Sequence, residues 1–204
     1  KKHAYKVPVI GYADNIRKVS TKKIKSYFES RYVPRNMFLV VSGDFKSAEM
    51  KKEVEAYFGK FKDFKVKKVK RLKEPVQTKP SIAIKKSDFE ETLTYVAFKA
   101  PSIKHKDIPG LDVLSLILGQ GDSSRLVHKL RIEEAIVNGT GAFTFTPQDD
   151  GLLAFSGSLQ PANLERYLEI LVNEIAEIYH NPPTFAEIQK AVTNIASEQI
   201  YSVE

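Results

Sequence analysis

The stretch "LQPANLERYLEILVNEIAEIYH", residues 159–180, has the strongest helical pattern in the chain. Its apolar side chains recur at intervals of three and four residues, which lines them up on one face of a helix. They are Leu164, Tyr167, Leu168, Leu171, Val172, Ile175, Ile178 and Tyr179. A stripe of this kind is typical of a helix that packs against a second layer. We therefore interpret it as core and not as a cofactor site.

The segments around this helix predict strands and further helices. Strands are expected at 81–86, 91–100, 140–146 and 152–158, with the turn-rich "PQDDG" joining the last two. Helices are expected at 107–118, at 123–134 and after Thr184, which forms a capping box with Glu187. Strands in pairs and helices in pairs predict an α+β fold, a two-layer α/β sandwich with helices on one face of an antiparallel or mixed sheet.

Residues 1–64 predict a helix, a strand and a second helix. Ser20 is expected to cap the first helix, the apolar run "NMFLVVSGDF" (36–45) to form a buried strand, and Ser47 to cap the next helix. One strand cannot form a sheet alone. We therefore expect a first domain that is incomplete over 1–72, a linker at 73–80, and a second domain over 81–204 that is truncated at its C-terminal end.

The composition excludes several classes of site. The chain has 204 residues, no cysteine and four histidines. Without cysteine it has no disulfide, no catalytic thiol and no thiolate metal ligand. The histidines lie too far apart in sequence for the helical zinc pair, which needs two of them four residues apart. No apolar run approaches the roughly 20 residues that span a bilayer. The sequence thus predicts no metal site and no membrane span in this chain.

The net charge of +7 is concentrated in one run. Residues 60–73, "KFKDFKVKKVKRLK", carry the whole excess, so the remainder of the chain is neutral overall. A basic face spread over a fold would favour nucleic-acid binding, whereas a local run favours an edge strand or a linker. Nucleic acid is therefore not expected as a partner.

Two groups of motifs resemble a known family. The segments "HAYKVPVIGYADNIRKVS" (3–20) and "YFESRYVPRNMFLVVSGDF" (27–45) resemble the end of the zinc-bearing half of the insulinase/pitrilysin-type zinc peptidases, which include the mitochondrial processing peptidase. Ala4 stands where that family usually has proline. The segments "ETLTYVAFKAPS" (91–102) and "LDVLSLILGQGDSSRLVHKLR" (111–131) resemble the opening of the second, non-zinc half.

The resemblance implies a fold, a cofactor and partners. In this family two halves of the same α/β sandwich close around an unfolded peptide, and zinc is held by an inverted H-x-x-E-H motif in the first half, upstream of the segment that matches this chain. We therefore expect zinc in the full-length parent and none in this fragment, which alone should be inactive. Expected partners are an unfolded peptide or protein substrate and a further copy or subunit of the same fold. The sequence gives no indication of the compartment.

The resemblance also implies two site residues. In the family, an arginine on the helix after S-S-R-L, and a tyrosine seven positions later, hydrogen-bond the substrate carbonyl. Arg131 matches the arginine and Asn138 occupies the tyrosine position. Asparagine can donate a hydrogen bond but has a shorter reach. The leading hypothesis is part of a zinc-dependent metalloendopeptidase, and the alternative is a non-catalytic subunit or scaffold of the same fold.

Two plainer interpretations stand beside these expectations. Arg131 is equally compatible with a surface arginine paired with Glu134 or another neighbour. Gly119 and Gly121 follow a predicted helix and not a strand, which favours a helix C-cap and turn over a phosphate-binding loop.

Overall fold

The computed structural model describes residues 2–67, 69 and 72–202. The chain divides into two compact units, Lys1–Ala83 and Ile84–Glu204.

The first unit consists of short helices joined by extended chain. Its α-helices are α1 (Ala13–Lys18), α2 (Thr21–Arg31) and α3 (Ser47–Phe58), and single 3₁₀ turns lie at Ala4–Lys6 and Pro34–Asn36. Ser20 caps α2 as predicted, because its hydroxyl accepts a hydrogen bond from the backbone N–H of Lys23 at 3.3 Å. The cap predicted at Ser47 is wrong. This serine is the first residue of α3, and Lys46 holds the cap position without a side-chain hydrogen bond.

Two predicted strands, at 36–45 and 81–86, are also wrong. Neither segment has strand structure, and in the first of them Phe38 and Val40 are 91% and 75% exposed. A strand forms only where a neighbouring strand satisfies its backbone N–H and C=O groups. The described residues of the first unit offer no such neighbour, so the apolar pattern alone does not form a strand.

The second unit is built on a three-stranded antiparallel sheet. Its strands are β1 (Thr92–Ala100), β2 (Gly139–Phe145) and β3 (Gly151–Leu159), in the order β1-β3-β2. Phe155 at the centre of β3 lies opposite Val96 on one side and Ala142 on the other. The hairpin of β2 and β3 confirms the two strands predicted around "PQDDG".

Helices of the second unit largely follow the sequence pattern. They are α4 (Ile108–Gly119), α5 (Arg125–Val127), α6 (Leu164–His180) and α7 (Phe185–Tyr201), with a 3₁₀ turn at Pro161–Asn163. The predicted helix 123–134 is different in kind, because its larger part, His128–Glu133, is a π-helix. The capping box of α7 is confirmed, since Thr184 and Glu187 exchange side-chain and backbone hydrogen bonds.

Gly119 and Gly121 mark the end of α4, as the sequence predicts. The helix stops at Gly119, and Gly121 takes a positive φ of 79°. At Gly119 an added Cβ would lie 2.0 Å from the backbone N of Ala142. The absence of a side chain here therefore allows α4 to approach β2 closely.

The core lies between one face of the sheet and the helices. Phe155 and Leu159 of β3 are buried with Tyr167 and Leu171 of α6, and the Tyr167 ring lies directly over Gly157. The predicted stripe of α6 is therefore core in part, whereas its members Val172 and Tyr179 are exposed. Helices packed on a small antiparallel sheet confirm the α+β fold. Within the described part of the chain, no helix is long and apolar enough to cross a membrane.

Candidate functional site

Arg131 and Asn138 each directly follow a buried residue of the hydrophobic core. Arg131 lies in the π-helix directly after Leu130, and Asn138 lies directly after Val137 and before β2. Leu130 and Val137 belong to the hydrophobic core, whereas Arg131 and Asn138 are exposed. The buried neighbours fix the backbone beside each candidate while the candidate side chains remain at the surface.

The backbone between these two residues is held by hydrogen bonds. The N–H of Glu134 donates to the carbonyl of Lys129 at 3.0 Å, and the N–H of Ile136 donates to the carbonyl of Leu130 at 3.1 Å. Between them Ala135 has a φ of 51°, a left-handed conformation that non-glycine residues seldom adopt. Such a conformation persists where the surrounding structure enforces it. The connection between the candidates is thus a defined turn.

Among the described residues, the Arg131 guanidinium makes one ion pair, which is long. Its Nη1 lies 3.4 Å from Oδ1 of Asp122, whose side chain is 82% exposed, and the Arg131 side chain itself is 55% exposed. An exposed pair of this kind contributes little to stability. It uses one of the five N–H donors of the guanidinium, so the others remain available to a ligand. Glu134, the partner considered from the sequence, pairs with Arg166 at 2.8 Å.

Asn138 belongs to a polar group at one end of the sheet. Its Nδ2 donates to Oε1 of Glu91 at 2.6 Å, and Ser158 Oγ donates to the other oxygen of the same carboxylate. Glu91 precedes β1, Asn138 precedes β2, and Ser158 lies near the end of β3. We call these three residues the sheet-end cluster. The backbone N–H of Asn138 also donates to the carbonyl of Ser158 at 2.8 Å, so the residue is fixed at two points.

A second ion pair holds the segment that leads to Arg131. Arg125 donates from two nitrogens to both oxygens of Glu187, at 2.7 and 3.0 Å, and from Nη1 to the carbonyl of Asn181 at 2.9 Å. Glu187 also accepts from the backbone N–H and hydroxyl of Thr184. These donors, Arg125 foremost, lower the pKa of Glu187 from 4.5 to about 2. The pair ties α7 to α5, which leads directly into the π-helix.

Residues 18–195 match the family model described as "Peptidase M16 inactive domain". The chain belongs to the peptidase M16 family. This match confirms the resemblance to insulinase-type zinc peptidases, and the protein is peptidase-like.

Curated proteins similar to this chain are named as zinc proteases. The chain is 28% identical over 207 residues to the "Zinc protease PqqE" of Helicobacter pylori, covering 99% of this chain and 46% of that protein. It is 22% identical over 202 residues to the "Uncharacterized zinc protease YmxG" of Bacillus subtilis, covering 99% and 48%. The chain therefore spans about half the length of the curated relatives it matches.

Two solved structures share the fold. A protease from Helicobacter pylori superposes with a TM-score of 0.73 at 25% identity, over 94% of this chain and 48% of that chain. A peptidase M16 inactive domain from Pseudomonas fluorescens superposes with a TM-score of 0.76 at 19% identity, over 91% and 45%. The second likeness is one of fold alone.

The described residues of this M16 chain do not fit a zinc site. They contain no group of three or more His, Cys, Asp or Glu side chains that could hold a metal ion. Two of the histidines have carboxylate neighbours on their own segments: His105 lies 3.6 Å from Asp107, and His128 lies 3.0 Å from Glu133. Each is a single local pair, which falls short of the three protein ligands of a catalytic zinc.

A small cavity between α4 and α7 does not suit a ligand either. It measures about 30 Å³ and is lined by polar side chains that include Gln120, Ser123, Lys190 and Asn194. That volume accommodates one or two water molecules.

Sequence reasoning missed the partners of the candidate residues. Glu91 is 47 residues from Asn138, and Glu187 is 62 residues from Arg125. Glu187 was expected only as part of a helix cap. No local pattern relates residues so far apart in the chain, because their contacts depend on how strands and helices pack.

Proposed function

We propose that this chain is the substrate-contacting part of a zinc-dependent metalloendopeptidase, in which Arg131 binds a carbonyl oxygen of an unfolded peptide. The observation that best supports this role is that the Arg131 guanidinium is exposed and only weakly paired. It is more than half exposed, it follows the buried Leu130, and the one ion pair that it makes with the described residues, to Asp122, is long and solvent-exposed. An arginine with these properties is anchored in its backbone and accessible at its tip.

The chemistry of a guanidinium suits this role. It stays charged at every physiological pH and presents several N–H donors in one plane. During hydrolysis the carbonyl oxygen of the attacked peptide bond gains negative charge. A fixed donor directed at that oxygen stabilises the transition state more than the ground state, and so raises the rate.

The metal belongs to another part of the full-length protein in this proposal. The relatives named as zinc proteases are about twice as long as this chain, and the described residues lack a ligand set. What this chain contributes is binding and orientation of the peptide, together with a surface for a subunit of the same fold.

Replacing Arg131 in the full-length protein tests the proposal. Arg131→Ala should lower kcat/KM for peptide hydrolysis by roughly two to three powers of ten, the usual effect of losing one oxyanion donor. Stability should barely change, because the pair with Asp122 is exposed. Arg166→Ala is the matched control, since Arg166 is also a half-exposed arginine with carboxylate partners. Equal activity of Arg131→Ala and wild type would overturn the proposal.

One observation favours a second candidate, a non-catalytic subunit of the same fold. Asn138 stands at the position where the family has tyrosine, and its amide is already bound to Glu91. Assaying the full-length protein with added zinc against a random peptide library separates the two candidates. Cleavage supports the peptidase. Complete lack of cleavage by a protein that retains bound zinc supports the subunit.

A further inference from the structure

The sheet-end cluster orients the Asn138 amide. A carboxylate can only accept hydrogen bonds, so the amide atom that faces Glu91 must be Nδ2 and not Oδ1. Nδ2 carries two N–H groups and Glu91 takes one of them. We call the other N–H the outer N–H; neither it nor Oδ1 is used by Glu91, and the residue is exposed.

The space beside Asn138 is open. A Cβ added to the next residue, Gly139, would meet no heavy atom within 4 Å. Leu93 of β1 and Gly139 of β2 lie opposite Ser158 on the same face of the sheet, and the Leu93 side chain is exposed. The space next to Gly139 therefore leaves room for a peptide beside Asn138.

We propose that Glu91 is a positioning residue for substrate binding: its carboxylate holds the Asn138 amide with one N–H directed at a backbone carbonyl of the bound peptide. This inference rests on the proposed function. A hydrogen bond to a charged group is shorter and stronger than one between neutral groups. It also polarises the amide and so strengthens the outer N–H as a donor. The shorter side chain of asparagine then acts from a fixed position.

Ser158 completes the arrangement from the third strand. Its hydroxyl donates to the Glu91 oxygen that Asn138 does not use, and its carbonyl accepts the backbone N–H of Asn138. The Glu91 carboxylate thus accepts from both Asn138 and Ser158. The backbone of Asn138 is bound to Ser158 of β3 directly, and its side chain is bound to Ser158 through Glu91. The pairing of the three strands therefore determines where the Asn138 amide lies.

A double-mutant cycle in the full-length protein tests the inference. Asn138→Ala and Glu91→Ala should each lower kcat/KM for peptide hydrolysis by up to roughly tenfold, the usual effect of losing one hydrogen bond between neutral groups. The double variant should be no worse than Asn138→Ala, because Glu91 acts only through Asn138. Glu91→Gln should recover most of the activity, since its Oε1 can still accept from Nδ2.

Thr144→Val is the control for a purely structural loss. It removes another hydrogen bond from a sheet side chain to a carboxylate, Thr144 Oγ1 to Asp112 Oδ1 at 2.5 Å, elsewhere on β2. It should lower thermal stability and leave kcat/KM unchanged. Thermal unfolding of every variant, measured in parallel, identifies any that fail to fold, and Glu91→Gln then carries the test.

The outcomes separate the inference from the proposed function. Additive effects of the two alanine variants overturn the inference, because Glu91 then acts independently of Asn138. A silent Asn138→Ala together with a defective Arg131→Ala overturns the inference alone. A silent Arg131→Ala in an active enzyme overturns the proposed function itself.

Discussion

At the scale of a single residue, Gly157 packs directly against Tyr167 in the core. The Tyr167 ring is fully buried, and a Cβ on Gly157 would lie 2.7 Å from it. Real side-chain atoms do not approach so closely, so any larger residue must displace the ring. The Tyr167 ring therefore packs α6 directly against β3 at Gly157, and the size of the residue at position 157 limits how closely the two elements approach.

Gly157→Ala should therefore destabilise the chain by about 1–3 kcal/mol, the usual effect of overpacking a well-packed core. The free energy of unfolding in urea measures this. Gly139→Ala is the control on β2, because nothing lies within 4 Å of its added Cβ and its φ is not positive. Equal stability of the two variants would mean that the ring moves at no cost.

An ion pair between Arg125 and Glu187 links α5 to α7, and its contribution to stability should depend on pH. Glu187 has a folded-state pKa of about 2, against 4.5 without its partners, chiefly because Arg125 donates to it. A lowered folded-state pKa stabilises the fold above the unfolded pKa, and this contribution disappears as the pH falls through the folded one. The stabilisation is thus complete above pH 4.5 and is lost on going down to about pH 2.

Glu187→Gln should lower the free energy of unfolding at pH 7 by about 1–2 kcal/mol, a value reduced for the partial exposure of the pair. Between pH 4.5 and 2 the variant should lose stability less steeply than the wild type, since it no longer has this carboxylate to protonate. Urea titrations at several pH values measure both effects. The prediction fails if the two proteins have parallel pH profiles.

Local patterns predicted the parts of the fold that local interactions determine. Ser20 and the pair Thr184 and Glu187 cap helices as expected, because a cap involves residues three apart in sequence. The strand expected at 36–45 did not form, because a strand needs a partner that sequence periodicity does not supply. The π-helix at His128–Glu133 also has the apolar spacing of an ordinary helix, so its hydrogen bonding was not foreseen.

The same distinction holds for the candidate site. The positions of Arg131 and Asn138 came from the family resemblance, and in the structure each is exposed next to a buried core residue, Leu130 and Val137 respectively. The contact of Asn138 with Glu91 could not be foreseen, because it depends on the register of three strands. The sequence thus indicates which residues to examine, whereas the sheet determines what each of them contacts.

Both units, each taken separately, expose apolar surface. In the first unit Phe38 and Val40 are largely exposed, and in the second Leu93 and Tyr95 are exposed on the sheet face away from the core. Extended apolar patches on soluble proteins are typical of interaction surfaces. The full-length relatives, about twice as long, have additional chain that could cover such surface.

The isolated 204-residue chain should therefore self-associate, because a second copy can bury part of this surface. Sedimentation velocity over a range of concentrations measures this, with an increase in mean mass expected as concentration rises. Replacing Leu93 and Tyr95 together by lysine should weaken the association if the sheet face takes part. A chain that stays monomeric at the highest concentrations would contradict the prediction.

Asn138→Tyr in the full-length protein tests how the site departs from its family. A tyrosine hydroxyl reaches further than the asparagine amide, so if the position contacts the peptide carbonyl, the variant should keep or raise kcat/KM. The change also removes the hydrogen bond to Glu91, which leaves that carboxylate with Ser158 as its remaining cluster partner. A loss of stability of about 1–3 kcal/mol is therefore expected alongside the kinetic effect.

Asn138→Phe is the control, because it has the same ring without the donor. Kinetics and thermal unfolding measured on both variants separate the two contributions: a gain with tyrosine and a loss with phenylalanine support a donor at position 138. If both variants are equally impaired, the asparagine acts through its contact with Glu91 and a longer donor cannot replace it.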